Sequence, residues 1–229
     1  MPLLDQRDVM DEFATRLAAA RPVPVTGPAG RAVPLPEGSL WEVLSARRSV
    51  RSFADRPIGA GDLSELLATA LAAERDRWPA RPPADLTVLT QAHRVHGLAG
   101  GWYEVAPDGS HTGVAGAPEL PDPAAYFDDA PVVLSFGGDV RAAVRRAGVA
   151  GYSDLLVRSA ELAHSCWLLA IARGFGGCLR GRAQHPSTAA FAAGGPGRRH
   201  LLSLTLGHPA PEQAPPAPRP SADQRPATR

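Results

Sequence analysis

The stretch from Ala46 to Phe53 reads ARRSVRSF and places three guanidinium groups around one hydroxyl group. Arg47, Arg48 and Arg51 fall within five residues, and Ser49 lies between them. Neighbouring guanidinium groups repel one another unless an anion or solvent lies between them. A phosphate accepts paired hydrogen bonds from guanidinium groups, and a hydroxyl can add another. The stretch therefore indicates either a phosphate site or a helix C-terminus whose dipole the cations complement.

The overall composition makes this cluster a local feature. The chain has 229 residues, a formal net charge of +1, 44% apolar residues and 21% charged residues. A general nucleic-acid or membrane-surface binder would carry a broad basic excess, so neither class is expected. The first residues contain acids and no long apolar run, which predicts neither a signal peptide nor a membrane span. With only two cysteines, we expect a cytoplasmic protein.

Other reactive residues offer weaker patterns. The seven histidines contain no HxxxH pair on a predicted helix, and the closest pair, His93 and His96, lies in a strand-to-loop region. No metal site is predicted. Cys166 and Cys178 lie on segments that are predicted to be buried, where a free cysteine acts as a small apolar residue, with a catalytic thiol as the alternative.

Helices are predicted on both sides of the arginine cluster and again later in the chain. Ser39 and Glu42 form a capping box that begins a helix just before the cluster. Apolar residues at helical spacing predict a second helix over 57–77. Asp139 can cap a helix over 140–148, and a long helix apolar on nearly every face is predicted over 153–173. Further predicted features are Gly174 as the left-handed residue after the long helix and a short helix in HPSTAAFAAGG.

Strand patterns complete an α+β fold. Strands are predicted in LTVLTQAH, in APVVLSFGG as a segment buried on both faces, and in RRHLLSLTLG. The segments 102–105 and 111–114 form a hairpin whose turn is Asp108-Gly109. The order of elements predicts a mostly antiparallel sheet flanked by helices. We divide the chain into an N-terminal helix with a Pro/Gly-rich connector (1–37), a folded domain (38–209) and an extended or disordered Pro-rich tail (210–229).

These motifs resemble, in order and spacing, the FMN-dependent nitroreductase superfamily. The similar segments are RRSVRSF, the PI that precedes the leucine-rich helix, WYEVAPDGSH, APVVLSF, the long apolar helix, GFGGCLRG and LLSLTLGHP. The hairpin and the helix preceded by GVAGY look most like the SagB-type branch, the azoline dehydrogenases of ribosomal peptide biosynthesis. The resemblance covers about residues 38–220.

The resemblance implies an FMN site at the cluster. Arg47 and Ser49 would hold the FMN phosphate and ribityl chain, with help from Arg48. Arg51 would lie near N1 and O2 of the ring, where a positive charge stabilises the reduced anionic flavin. The turn after the long helix would approach N5 through the backbone of Leu179, Arg180 and Gly181. Arg219 would return to the phosphate; the alternative is a tail residue without a ligand.

The resemblance also implies a homodimer with FMN at the subunit interface. Independently of it, the long helix over 153–173 is apolar enough for a core or a subunit interface. NAD(P)H is the expected electron donor, or O₂ the electron acceptor. The expected partners are a peptide or small-molecule substrate and other biosynthetic enzymes, with no nucleic acid and no membrane.

The sequence departs from the SagB-type pattern at its proton-handling residues. Arg146 and Ala147 stand where that branch has a Lys-Tyr pair, and arginine does not deprotonate near neutral pH. Trp167 and Leu168 replace a Gln-Asn pair on the long helix. The remaining catalytic candidates, each weak, are Tyr152, His164 and Tyr103.

Three functions remain open from the sequence. The first is an FMN oxidoreductase that tailors peptide natural products by dehydrogenation or a related redox step. The second is an NAD(P)H-dependent nitro- or quinone reductase, in which little acid–base help is needed. The third is a non-catalytic member of the fold that acts as a subunit or peptide-binding partner.

Overall fold

The computed structural model describes residues 40–80, 85–181 and 185–213. The predicted N-terminal helix and connector (1–37), Ser39 of the capping box, and Arg219 lie outside these residues. The helices are α1 (Leu40–Ala46), α2 (Ala60–Arg77), α3 (Pro123–Phe127), α4 (Val140–Ala172) and α5 (His185–Ala193). The strands are β1 (Ile58–Gly59), β2 (Leu86–Ala92), β3 (Val95–His96), β4 (Gly101–Val105), β5 (His111–Gly113), β6 (Val132–Asp139), β7 (Gly176–Arg180) and β8 (Arg198–Gly207).

A six-stranded antiparallel sheet in the order β5-β4-β2-β6-β8-β7 forms the centre of the fold, which confirms the predicted α+β class. Successive residues of a strand point to opposite faces of the sheet. Val88 of β2 packs in the core with α2 and α4, whereas the next residue, Leu89, packs with Phe191 of α5. The sheet therefore carries α2 and α4 on one face and α5 on the other.

Strand β6 lies at the middle of this sheet and is buried on both faces, as its unbroken apolar run predicted. The hairpin prediction is also confirmed, because β4 pairs with β5 and Gly109 at the turn has a φ of 82°. Strand β8 spans the whole predicted final strand. Gly174 follows α4 with a φ of 79°, the left-handed conformation predicted for it.

Helix α4 joins two segments that the sequence predicted as separate helices. The Asp139 carboxylate accepts a hydrogen bond from the backbone N–H of Ala142 at 2.8 Å, so the predicted cap is present. Ala147 and Gly148 leave the helical conformation, and Gly148 has a φ of 58°. Past this break, Gly151 packs so closely on the first segment that a Cβ there would lie 2.0 Å from the carbonyl oxygen of Ala143. The second helix therefore begins before the predicted Ser153.

The two ends of α4 lie in different environments. By length and composition alone, α4 is apolar enough to cross a membrane, but half of its most apolar window is buried inside the protein. Its C-terminal half packs in the core, where the Arg158 guanidinium donates to the Glu74 carboxylate at 2.6 Å. Its other half exposes five large apolar residues: Val144, Val149, Tyr152, Leu156 and Val157. Core packing of the C-terminal half therefore accounts for much of the apolar character.

Two predictions, a helix start and a turn, need correction because each segment contains a strand. Helix α2 begins at Ala60 rather than at residue 57, because Ile58 and Gly59 pair in parallel with β3. The segment GFGGCLRG, predicted as a turn, contains strand β7, which pairs with β8. Glycine disfavours strands, so the pattern concealed β7. Here the missing side chain permits close packing, since a Cβ on Gly177 would lie 2.4 Å from the carbonyl oxygen of Thr205.

Candidate functional site

The arginine cluster lies beside β7, at one edge of the sheet. The backbone N–H of Val50 donates to the carbonyl oxygen of Gly177 at 2.9 Å, and Ser49 forms a parallel bridge with Gly177. Val50 itself is buried and anchors the segment. Because side chains alternate along an extended chain, the exposed Ser49 and Arg51 flank this buried anchor. The cluster is thus held in an extended conformation by the strand next to it.

A C-terminal turn closes over the cluster. The side-chain oxygen of Gln213 accepts from the backbone N–H groups of Arg51, at 2.8 Å, and Ser52, at 3.1 Å. The Arg48 guanidinium donates to the carbonyl oxygen of Gln213. The Ser52 hydroxyl donates to the carboxylate of Glu212 at 2.7 Å. The part of the predicted tail up to Gln213 therefore belongs to the site, which its polar sequence did not reveal.

Arg47 is held differently from the other arginines. Its guanidinium carbon lies 5.1 Å from the centre of the Trp167 ring, over the ring face. Among the described residues, no carboxylate pairs with this guanidinium. Trp167 is buried on α4, and its indole N–H has no partner in the described part of the chain. The Trp167 ring therefore acts as an aromatic platform for the cation, and no described residue accepts a hydrogen bond from the Arg47 guanidinium.

A cleft of about 550 Å³ adjoins the cluster, and we call it the cationic cleft. It brings together four residues that the sequence predicted as cofactor contacts, namely Arg51, Leu179, Arg180 and Gly181. The opposite wall comes from α3 and the turn after it, including the half-exposed Tyr126 and Asp128. Leu179 and Arg180 lie on β7 rather than on a turn, so the sheet edge fixes their positions.

The two arginines of the cationic cleft are close enough to affect each other. Burial, and then the charge of Arg51, lower the pKa of Arg180. Asp128 forms an ion pair with Arg180, yet the Nε of Arg180 is buried without a hydrogen-bond partner among the described residues. Asp128 has a φ of 54° and Asp129 a φ of 56°, a strained pair of left-handed residues. Cationic charge thus faces the cleft, and one strained acid offsets part of it.

The weak catalytic candidates lie elsewhere, because none of them lines the cationic cleft. The Tyr103 hydroxyl, on β4, donates to the carbonyl oxygen of Ala99 at 2.9 Å. Tyr152 is part of the exposed apolar face of α4. The His164 and Trp167 rings are nearly perpendicular, with their centroids 6.4 Å apart, and His164 lines a separate, small cleft with Glu161.

Arg146, which stands where the SagB-type branch has lysine, forms an ion pair with the buried Asp85. This pair gives Arg146 a structural role at the start of α4. No group of histidine, cysteine and acidic residues in the described parts could hold a metal ion. Both cysteines are buried and free, and burial raises the pKa of the Cys166 thiol, which disfavours the catalytic thiol.

A second cleft, of about 670 Å³, lies toward the opposite edge of the sheet, near β4 and β5. We call it the apolar cleft. Its apolar walls come from α2, β2 and the hairpin, and include Leu71, Val88 and Val105. It contains none of the predicted cofactor residues. Four strand spacings, roughly 19 Å, separate β7 from β4 in the sheet.

Sequence reasoning missed several residues of the cationic cleft and its surroundings. These are Tyr126, Asp128, Gln213 and, as the platform for Arg47, Trp167. The only local signal was the pair Asp128-Asp129. Aspartate tolerates the left-handed conformation of a tight turn. The other contacts join segments that are far apart in the chain.

Comparison with known proteins identifies the fold. Neither protein-family models nor curated proteins match the sequence. A structure from Anabaena variabilis, provisionally named a nitroreductase, matches 92% of this chain and 49% of its own, with a TM-score of 0.63 and 16% identity. One from Ralstonia eutropha, also provisionally named a nitroreductase, matches 82% of this chain and 98% of its own, with a TM-score of 0.59 and 21% identity. The chain thus spans about half of the first protein and has a nitroreductase-like fold.

Proposed function

We propose that the protein is an FMN-dependent oxidoreductase whose flavin lies in the cationic cleft. The observation that carries this proposal is the convergence of Arg51 and Arg180 on one cleft beside the arginine cluster. Bringing two like charges together costs free energy, which an anionic or electron-rich ligand between them would offset. The orphaned Nε of Arg180 is consistent with a site that is completed by a ligand.

The residues divide into two ends. Arg47, Arg48 and Ser49 would bind the phosphate, because guanidinium groups bind phosphate bidentately and a hydroxyl adds one bond. Arg51 and the β7 residues Leu179 and Arg180 would contact the ring. FMN, when bound, supplies hydride transfer between donor and acceptor. Arg219 lies six residues beyond Gln213, a reach of up to about 20 Å, so it could extend to the phosphate end.

Among the two enzyme functions, we favour reduction of nitro compounds or quinones with NAD(P)H. The side chains of the cationic cleft that can ionise are Arg51, Arg180, Asp128 and Tyr126, and Arg180 holds the acid in an ion pair. Arginine does not act as a base, and Arg146 is paired with Asp85. Removing a proton from a substrate needs a base, whereas hydride transfer to a nitro compound or quinone needs little such help.

Peptide tailoring remains the second candidate, as a dehydrogenation that passes electrons to O₂. A partner subunit or biosynthetic enzyme would then supply the base. In either case, we propose a cytoplasmic protein, since both cysteines are free and buried.

A homodimer is part of the proposal. Exposed apolar residues lie on α1 and on the first half of α4, and they include Leu40, Trp41, Val149, Tyr152 and Leu156. These two helices pack against each other. Large exposed apolar patches commonly mark protein interfaces. A second copy of the chain would cover these apolar residues.

Flavin binding tests the proposal directly. The purified protein is expected to be yellow, and the apoprotein to quench the fluorescence of added FMN. Arg47→Ala should weaken FMN binding by about 1.5–3 kcal/mol, the typical contribution of a charge-assisted hydrogen bond. A colourless protein that leaves FMN fluorescence unchanged would refute both enzyme functions and favour the non-catalytic one.

Turnover separates the two enzyme functions. Rapid oxidation of NADH or NADPH with a nitroaromatic or quinone is expected for the reductase. A flavin-loaded protein without this activity, which consumes O₂ only with a peptide substrate, would support the tailoring enzyme instead. Size-exclusion chromatography with light scattering tests the dimer, and Val149→Glu on the exposed face should dissociate it.

A further inference from the structure

We infer that Trp167 is a positioning residue for Arg47 and so sets the affinity of the site for the phosphate of its ligand. The inference rests on the proposed binding of FMN at this cluster. Arg47 is exposed, yet its guanidinium carbon lies over the Trp167 ring at 5.1 Å. Trp167 is only 4% exposed and lies on the long core helix. Its ring is therefore held by the surrounding core, whereas the exposed Arg47 side chain is not.

The type of contact matters for the chemistry. A carboxylate that holds an arginine occupies some of its five N–H donors, as Asp129 does for Arg94 at 2.8 Å. An aromatic ring instead attracts the cation through the ring face and needs none of these donors. Arg47 is therefore oriented while its donors stay available to an anion. An arginine oriented in advance loses less conformational entropy on binding.

Trp167 also has no other polar function in the described structure. Its indole N–H is buried and has no partner among the residues that the structure describes, which is a cost that phenylalanine at this position would avoid. Tryptophan is the side chain that attracts a cation most strongly.

The chain offers a matched control in Trp102. This residue is 5% exposed, and its indole N–H is also buried without a partner among the described residues. It packs with Leu89 and Phe191 on the other face of the sheet, and no described cation lies over its ring. Substitution of either tryptophan thus removes similar apolar packing, but only one substitution removes the platform.

The experiment compares FMN with riboflavin, which lacks the phosphate, by fluorescence titration of the apoprotein. Trp167→Leu should weaken FMN binding about two- to fivefold, a factor typical of an exposed cation–aromatic contact. Trp167→Phe should weaken it less, because phenylalanine keeps a weaker aromatic face. Riboflavin affinity should stay unchanged, and Trp102→Leu should change neither affinity. Thermal unfolding of each variant verifies that it is folded at the assay temperature.

A double-mutant cycle provides the decisive measurement. In an Arg47→Ala background, Trp167→Leu should have no further effect on FMN affinity, because the residue it positions is gone. Equal losses for FMN and riboflavin in Trp167→Leu would overturn the inference, and so would wild-type FMN affinity. If Arg47→Ala weakens FMN binding while Trp167→Leu does not, the proposed function stands and this inference fails. If the wild type binds neither flavin, both fail.

Discussion

The cationic and apolar clefts both contain charged groups, but these groups differ in how fully they are paired within the protein. Around the apolar cleft, the Glu74 carboxylate accepts from Arg158, Glu104 accepts from Arg198 at 2.8 Å, and Arg75 donates to the carbonyl oxygen of Pro107 at 2.9 Å. The two carboxylates are paired with arginines, and the Arg75 guanidinium is hydrogen-bonded within the protein. Electrostatic attraction for an ionic ligand is therefore weaker at this larger cleft.

At the cationic cleft, the charges are incompletely satisfied by the protein. The guanidinium of Arg51 has no hydrogen-bond partner among the described residues, and Arg47 rests on an aromatic ring. Asp128 pairs with Arg180 from a strained left-handed conformation. The apolar cleft has the larger volume, about 670 Å³ against about 550 Å³. Whether the charged groups are paired within the protein is nevertheless the better indicator of where an anionic ligand binds.

The largest expected effect comes from breaking the buried pair next to the apolar cleft. Glu74→Gln removes the carboxylate that the buried Arg158 guanidinium faces, with 2.6 Å between the paired atoms. We expect the free energy of unfolding to fall by about 3–5 kcal/mol, measured by urea denaturation. FMN affinity of the folded variant should be unchanged, because the pair is structural.

Glu65→Gln is the control for this prediction. The Glu65 carboxylate is exposed and lies 3.2 Å from Arg173, so its loss should cost less than about 1 kcal/mol. If both variants lose similar stability, the contrast between buried and exposed pairing is wrong.

Acid should lower the free energy of unfolding because His200 is buried in the core. His200 is buried on β8 against Ser203, and burial lowers its pKa from 6.5 to about 4. Between pH 6.5 and pH 4, His200 is therefore protonated in the unfolded chain but mostly neutral in the folded protein. Stability should fall by about 3 kcal/mol as the pH drops from about 6.5 to about 4. The arginines of the cationic cleft stay charged throughout this range.

Urea denaturation of the apoprotein across this pH range measures the effect. His200→Asn should reduce the decline between pH 6.5 and pH 4 by the contribution of His200. His96→Gln, which replaces an exposed side chain of β3, is the control. A wild-type profile without a decline in this interval would contradict the assignment to His200.

The smallest expected effect is on flavin affinity, and it is measured by substituting one arginine from each cleft. Arg51→Ala should weaken binding of both FMN and riboflavin by about 1.5 kcal/mol, because Arg51 is placed at the ring end of the site. Arg75→Ala removes a guanidinium that is already satisfied by the Pro107 carbonyl, so neither affinity should change. Fluorescence titration measures both. An equal loss in the two variants would mean that general positive charge, rather than the cationic cleft, attracts the flavin.

Local patterns predicted most of the fold. The apolar run of β6, the Asp-Gly turn of the hairpin and the Asp139 cap each depend on neighbouring residues, and each was confirmed. The break in α4 was marked by glycine, and the sequence placed a helix on each side of it. Strand β7 could not be predicted in this way, because its glycines pack against β8 and against Val50, which lies far earlier in the chain.

The sequence by itself determined that cations gather at Arg47–Arg51 and that Arg180 follows a glycine-rich segment. Only the tertiary structure decided which of these charges stay unpaired. The reason is physical: pairing depends on distance in space, and Trp167, Asp128 and Gln213 reach the cluster from other elements of the fold. Residue types can therefore indicate that an anion is bound, whereas packing decides where it lies and which donors remain available to it.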